Sequence, residues 1–324
     1  MRSRYAWAGA IGAIGVGVAV AAVLAPDLVP DVALFVPAVA SPLAVLLAVW
    51  GRVGGDAPVR AAAGGALIGP LVAAASHAFV AAFAYAFFLG FADTGRALVE
   101  TLRLDPRVVD LVSSPWVVLL IVELVVVAPL TEEAGKALGA RGSGRPGTRR
   151  DAFLAGVAAG AGFAAVENVL YAALAAAFGG PWPAVVLART AGAAVHALAT
   201  GLVLLGWWDS REGAGGHRLL SGFLSGAGVH ALWNGTLVVL VVARGAYALG
   251  DLSPLPGAVE LAFAAALGAV LAASLWALAG AVATGRAPTD SAAEARTVAA
   301  WLIVTASLVV PIAVVTIAFP ALSG

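Results

Sequence analysis

Repeated apolar runs of about 20 residues dominate this sequence, and that is the length an α-helix needs to cross a hydrocarbon core of ~30 Å. Cutting the chain at its proline, glycine and charged clusters leaves about nine such runs, at 6–24, 32–50, 64–91, 115–138, 151–178, 184–208, 219–242, 257–284 and 297–319. The alternating segments of about 10 residues that build a membrane barrel are absent. The predicted fold class is therefore all-α, a polytopic transmembrane helix bundle of about nine spans.

The overall composition excludes several classes of protein. Hydrophobic residues make up 62% of the chain and charged residues 11%, whereas a soluble domain carries roughly 25% charged residues. Because the net charge is zero, no excess of basic residues indicates a nucleic-acid partner. The apolar composition indicates that the lipid bilayer surrounds the chain. The absence of cysteine excludes disulfides, thiolate metal sites and cysteine nucleophiles.

Basic residues are distributed unevenly between alternate loops. Twelve arginines lie in the N-terminus and in the loops 51–60, 139–150, 209–218 and 285–296, whereas four lie on the opposite side. Since cytoplasmic loops are enriched in arginine and lysine, we expect a cytoplasmic N-terminus and an extracytoplasmic C-terminus. The segment 92–114 is predicted to be an amphipathic helix on the outer face.

Ionisable residues inside the spans carry the functional information. Each costs about 2.5–3.5 kcal/mol at bilayer depth, so those that persist are expected to face the bundle interior and to act there. They concentrate in spans four to seven: Glu132, Glu133, Lys136, Glu167, Arg189, His196 and His230, with Asn234 one turn after the last. Glutamate together with histidine is a ligand set suited to zinc or to water activation. By contrast, His77 is assigned to packing, and Glu123 is predicted to face away from Glu132.

Four motifs follow one another on successive predicted helices: Glu132-Glu133-x-x-Lys136, Phe163-x-x-x-Glu167-Asn168-x-x-Tyr171, His196, and His230-x-x-Trp233-Asn234. In this combination the sequence resembles the PrsW family of intramembrane proteases, which is related to the CAAX prenyl protease and Abi superfamily. The resemblance divides the chain into an N-terminal part (1–114), a catalytic four-helix core (115–242) and two C-terminal spans (243–324). It implies a multi-pass protease of the plasma membrane that cuts a membrane-anchored protein, in the best-known case an anti-sigma factor.

Peptide hydrolysis in a membrane needs a water molecule, a base and donors for the developing oxyanion. One of Glu132 and Glu133 is the candidate base, and Lys136 or Asn234 the candidate oxyanion donor. The predicted ligands for Zn²⁺ are Glu133, Glu167, His196 and His230. The alternative is a site without metal, in which the glutamates and histidines bind the water directly.

Axial counting at 1.5 Å per residue separates Glu167 from Glu133 by about 20 Å in depth. That separation holds for straight spans, but the fifth span is long enough for its first turns to project into the cytoplasm, and Pro129 can kink the fourth helix. We therefore expect a water-filled cavity in the cytoplasmic half, with Glu167 the member that fits least well. The main alternative function is a proton-coupled transporter, because carriers also relay protons through intramembrane glutamate and histidine. The halves of the chain show no inverted repeat of the kind such carriers often have. A non-catalytic scaffold is the third possibility.

Overall fold

The computed structural model describes residues 2–25, 28–53, 55–101, 121–178 and 182–248, and all regular structure in these residues is helical. Seven α-helices follow one another in this part of the chain: α1 Arg2–Leu24, α2 Phe35–Val53, α3 Ala57–Thr101, α4 Ala128–Arg141, α5 Arg149–Phe178, α6 Trp182–Asp209 and α7 Gly216–Ala248. A 3-10 turn, Asp31–Leu34, precedes α2. π-helical turns at Glu123–Val127 and Ser210–Ala214 precede α4 and extend α6. The predicted spans 257–284 and 297–319 lie outside the described residues.

Four helical segments in the described residues are long and apolar enough to cross a membrane: Asp31–Gly51, Ala57–Val80, Arg149–Leu174 and Arg189–Gly213. They coincide with the second, third, fifth and sixth predicted spans. Helix α1 contains a shorter apolar run, Ala6–Ala22. Helix α4 has only 14 residues and carries two glutamates and a lysine. The all-helical membrane class therefore holds, while the total of about nine spans stays a prediction.

Helix α3 differs from its predicted form. The pattern predicted a span at 64–91 followed by a separate amphipathic helix at 92–114, but residues 92–101 continue α3 without a break, making one helix of 45 residues. No proline interrupts this stretch, and a single glycine, Gly95, costs about 1 kcal/mol without ending a helix. The remainder of the predicted amphipathic helix, 102–114, lies outside the described residues.

Small residues let the helices of the core approach with their backbones in contact. Helix α5 lies along α6, where Gly160 packs directly against the backbone of His196. Helix α3 meets α4 in the same way, with Gly64 against the backbone of Gly139. A Cβ atom at either position would overlap backbone atoms of the neighbouring helix, so these glycines determine how closely the functional helices pack.

Three loops predicted on one side of the membrane lie at one end of the bundle. Arg60, just after the α2–α3 loop, donates to the carbonyl of Ser143 in the α4–α5 loop. Arg145 pairs with Glu212 of the π turn after α6 at 3.5 Å. Because these contacts join the loops directly, we refer to this end, carrying residues 55–56, 142–148 and 210–215, as the arginine end.

Candidate active site

Three helices bring six polar side chains together inside the bundle, and all of them are buried. They are Glu132, Glu133 and Lys136 of α4, His196 and Thr200 of α6, and His230 of α7. In α4, helical spacing of three and four residues turns the lysine towards both glutamates. Buried charges need internal partners, since each ion taken out of water costs several kcal/mol.

Glu133 is fully hydrogen-bonded. Its Oε1 accepts from Lys136 Nζ at 2.8 Å and lies 3.0 Å from His230 Nδ1, and its Oε2 accepts from Thr200 Oγ1 at 2.7 Å. Because this carboxylate faces Nδ1 of His230, that nitrogen carries the ring proton and Nε2 keeps its lone pair. Glu133 therefore orients His230 rather than facing a reactant.

Glu132 and His230 each leave one buried atom without a hydrogen bond. These atoms are Oε2 of Glu132 and Nε2 of His230, and they lie 3.7 Å apart. Lys136 Nζ lies 3.3 Å from the same oxygen of Glu132 as an ion-pair partner, without forming a hydrogen bond to it. Two unsatisfied polar atoms in a buried site indicate a place for a water molecule, an ion or a substrate group.

His196 lies next to Glu132 and His230. Its ring packs edge-on against that of His230, with centroids 4.4 Å apart. Nδ1 lies 2.9 Å from Lys136 Nζ, and Nε2 lies 3.2 Å from Oε2 of Glu167. In the described part of the chain, one ligand atom each from Glu132, His196 and His230 lies within 4.8 Å of the others.

This triad fits a divalent metal in ligand type and number, because two imidazoles and one carboxylate with an open position are typical of catalytic zinc. Zinc bonds of about 2.0–2.2 Å place ligand atoms at most ~4 Å apart, so the three ligand atoms would have to move closer together to share an ion. The carboxylate of Glu133 on the second nitrogen of His230 is the outer-shell partner that ligating histidines normally have.

Comparison with known families decides the assignment. Residues 57–252, more than half of the chain, match PrsW family intramembrane metalloprotease.

The chain belongs to the PrsW family.

No curated protein and no solved structure matches the chain. As a PrsW protease it is a membrane-embedded peptidase, a hydrolase whose substrates are membrane-embedded proteins. The family match begins at residue 57, so it takes in α3, which the division at residue 114 placed outside the catalytic core.

The structure places Glu167 of this PrsW protease closer to the site than axial counting predicted. Glu167 is ion-paired with Arg189 of α6, and its other oxygen reaches His196. Straight spans would have left Glu167 about 20 Å from Glu133 in depth. Instead α5 runs alongside α6 with Gly160 against His196, and seven residues further on Glu167 meets Arg189. With Arg189 as its partner, Glu167 borders the metal triad without belonging to it.

The two predicted oxyanion donors, Lys136 and Asn234, both contact other groups of the protein. Lys136 Nζ is surrounded by Glu132, Glu133 and His196, and it lies 4.0 Å from the centre of the Phe163 ring. Asn234 Nδ2 donates to the carbonyl of Leu124, in the π turn before α4, at 3.0 Å. Both side chains therefore hold the site together in this arrangement.

Sequence reasoning missed one member of the polar network of the site, Thr200, and one ion pair outside that network, His77–Glu123. Thr200 lies one turn after His196 and bonds Glu133; the spacing of four residues is a signal that could have revealed it. His77 of α3 pairs with Glu123, 46 residues away along the chain. This pair was hidden because its members are distant in sequence and each looks isolated on an apolar helix.

Proposed function

We propose that the chain is a multi-pass enzyme of the plasma membrane that hydrolyses a peptide bond of a membrane-anchored protein within the bilayer. Glu132 is the base in this proposal. The observation that carries it is the contrast between the two neighbouring glutamates, since both oxygens of Glu133 are hydrogen-bonded while Oε2 of Glu132 is not.

Glu132 and His230 act on one water molecule. Its oxygen attacks the scissile carbonyl carbon as Glu132 Oε2 takes one of its protons, and His230 Nε2 accepts a hydrogen bond from the other. When the carbon–nitrogen bond breaks, Glu132 returns the proton to the leaving amine. Burial of both groups strengthens these interactions because little bulk water competes for them.

The residues that would hold the family's metal are Glu132, His196 and His230, with Zn²⁺ the ion that best suits this set. An ion bound there would take the Glu132 and His230 atoms that face the water in the metal-free arrangement, so the two arrangements are alternatives. A bound divalent ion supplies Lewis-acid polarisation of the carbonyl and lowers the pKa of water. Glu133 holds the proton on His230 Nδ1 whether or not an ion is bound. Glu133 and Glu167, expected from the sequence as ligands, are assigned here to positioning.

We also propose the finer topology: about nine spans, with the arginine end and the N-terminus cytoplasmic and the C-terminus extracytoplasmic. The relation to the CAAX prenyl protease and Abi superfamily is inferred from the order of the motifs alone. An anti-sigma factor is one candidate substrate among single-span proteins. The family assignment does not favour the transporter alternative.

Cleavage of a single-span membrane protein by the purified enzyme in detergent tests this function. Glu132→Gln keeps the shape but removes the basicity, so we expect a loss of 10²-fold or more in kcat. His230→Ala should lose activity similarly. Loss of activity on chelation that returns with added metal would favour the ion-bound arrangement, and unaffected activity would favour the metal-free one.

Two matched controls separate chemistry from general damage. Glu212→Gln changes an exposed glutamate at the arginine end, and His77→Ala changes a histidine whose partner is Glu123. Both variants should retain activity. Full activity of Glu132→Gln would exclude Glu132 as the base.

A further inference from the structure

Lys136 is a buried residue of the site that takes no part in the proposed reaction. It is the only lysine of the sequence, and its side chain is fully buried. Its Nζ lies 2.8 Å from Glu133 Oε1, 2.9 Å from His196 Nδ1 and 3.3 Å from Glu132 Oε2. Between two carboxylates it is an ammonium, which offers three donors and no acceptor.

The contact with the ammonium determines which nitrogen of His196 carries the ring proton. A neutral imidazole has one donor and one acceptor nitrogen. Because Nδ1 faces the Lys136 ammonium, it must be the acceptor, and Nε2 therefore carries the proton. That proton lies on the side of the Glu167 carboxylate, whose Oε2 is 3.2 Å from Nε2.

A metal ion binds a nitrogen lone pair, and in this tautomer His196 has none to give. Its Nδ1 lone pair is used by Lys136 and its Nε2 is protonated. Ligating histidines normally direct their second nitrogen at an acceptor, as His230 does towards Glu133. His196 directs Nε2 at the Glu167 carboxylate in the same way, but the Lys136 ammonium occupies the lone pair of Nδ1 that a metal would bind.

We propose that Lys136 controls metal occupancy of the triad formed by Glu132, His196 and His230. With the ammonium on Nδ1, His196 is a hydrogen-bond donor of the site, and a divalent ion gains its third ligand only when Lys136 leaves that nitrogen. This inference rests on the proposed function, because it concerns the same triad. Removal of the ammonium should therefore raise the affinity for a divalent ion.

Equilibrium dialysis of the full-length protein in detergent against Zn²⁺ at pH 7, with metal quantified by mass spectrometry, tests the proposal. Lys136→Met preserves the apolar stem of the side chain and removes the ammonium. We expect it to bind one Zn²⁺ at least tenfold more tightly than the unaltered protein. Adding His196→Ala to this variant should abolish the gain.

Arg189→Met is the matched control. Arg189 is the second buried cation of the site, but it pairs with Glu167 and leaves Lys136 on His196. If removal of any buried cation strengthened metal binding, both variants would gain alike; we expect a clearly smaller gain for Arg189→Met. Equal gains in both variants, or no gain in Lys136→Met, would overturn the proposal.

A second measurement needs no variant at position 136. In metal-free protein labelled with ¹⁵N-histidine, the ring shifts of His196, assigned by their loss in His196→Gln, should report a proton on Nε2. A proton on Nδ1 would overturn the proposal even if Lys136→Met does not fold. Neither measurement uses peptide cleavage, so failure of the substrate assay and failure of this inference are distinguishable.

Discussion

Glu132 and Glu133 are neighbours in the chain, but their carboxylates meet different surroundings. Glu133 accepts from Lys136 and Thr200 and faces the Nδ1–H of His230. Glu132 has an oxygen with no hydrogen bond. At the scale of the residue, these contacts support the proposal that Glu133 maintains the structure of the site and that Glu132 is the reactive carboxylate.

Substitution of these two glutamates should therefore have different effects on the free energy of unfolding. Glu133→Gln leaves the Lys136 ammonium without its best partner, and breaking a buried ion pair costs about 3–5 kcal/mol. Glu132→Gln removes one of the carboxylates crowded around a single ammonium and should leave stability unchanged or slightly higher. Thermal unfolding of both purified variants in one detergent measures the difference. Equal destabilisation would contradict the distinct roles assigned here.

The π turn before α4 is the feature that matters at the scale of the element. Such turns interrupt the regular i to i−4 bonding of a helix and occur frequently at functional sites. Here the carbonyl of Leu124, inside the turn, accepts from Asn234 of α7. Asn234 lies one turn from His230 on α7, so this bond ties the start of α4 to the helix that carries a site histidine.

Asn234→Ala should loosen that connection. The carbonyl of the half-buried Leu124 would lose its side-chain donor, at a cost of about 1 kcal/mol, and both thermal stability and activity should fall. Thr236→Ala is the control, because the Thr236 hydroxyl bonds only the Leu232 carbonyl of its own helix. If Asn234→Ala lowered kcat with unchanged thermal stability, the oxyanion role expected from the sequence would be favoured instead.

At the scale of the whole molecule, the arginine end predicts how the bundle is oriented in the membrane. Three loops meet there through contacts of Arg60 with Ser143 and of Arg145 with Glu212. The 3-10 turn that begins at Asp31 follows α1 and precedes α2, so under the proposed topology Leu28 lies on the outer side. The uneven arginine count predicts that the arginine end is cytoplasmic.

The absence of cysteine allows this orientation to be tested with single introduced cysteines. Arg145→Cys and Glu212→Cys change exposed side chains at the arginine end, and Leu28→Cys changes an exposed side chain after α1. An impermeant maleimide added to intact cells should label only Leu28→Cys, whereas inverted vesicles should give the reverse. Labelling of Arg145→Cys from outside would invert the topology.

The sequence alone predicted the helical membrane class and the residues of the site, because both depend on local properties. An apolar run of about 20 residues specifies a spanning helix whatever its neighbours are. Spacing of three or four residues places Lys136 next to Glu132 and Glu133 within a single helix. Because an ionisable residue is costly to place at bilayer depth, His196 and His230 were predicted to be functional residues.

Only the tertiary structure decided what each of these residues does. The bonds that differentiate them join residues far apart in the chain: Lys136 to His196 across 60 residues and Glu133 to His230 across 97. Such bonds depend on the register between helices, which backbone contacts such as that of Gly160 with His196 determine. Hydropathy does not encode this register, which is why axial counting misplaced Glu167 and could not tell Glu132 from Glu133.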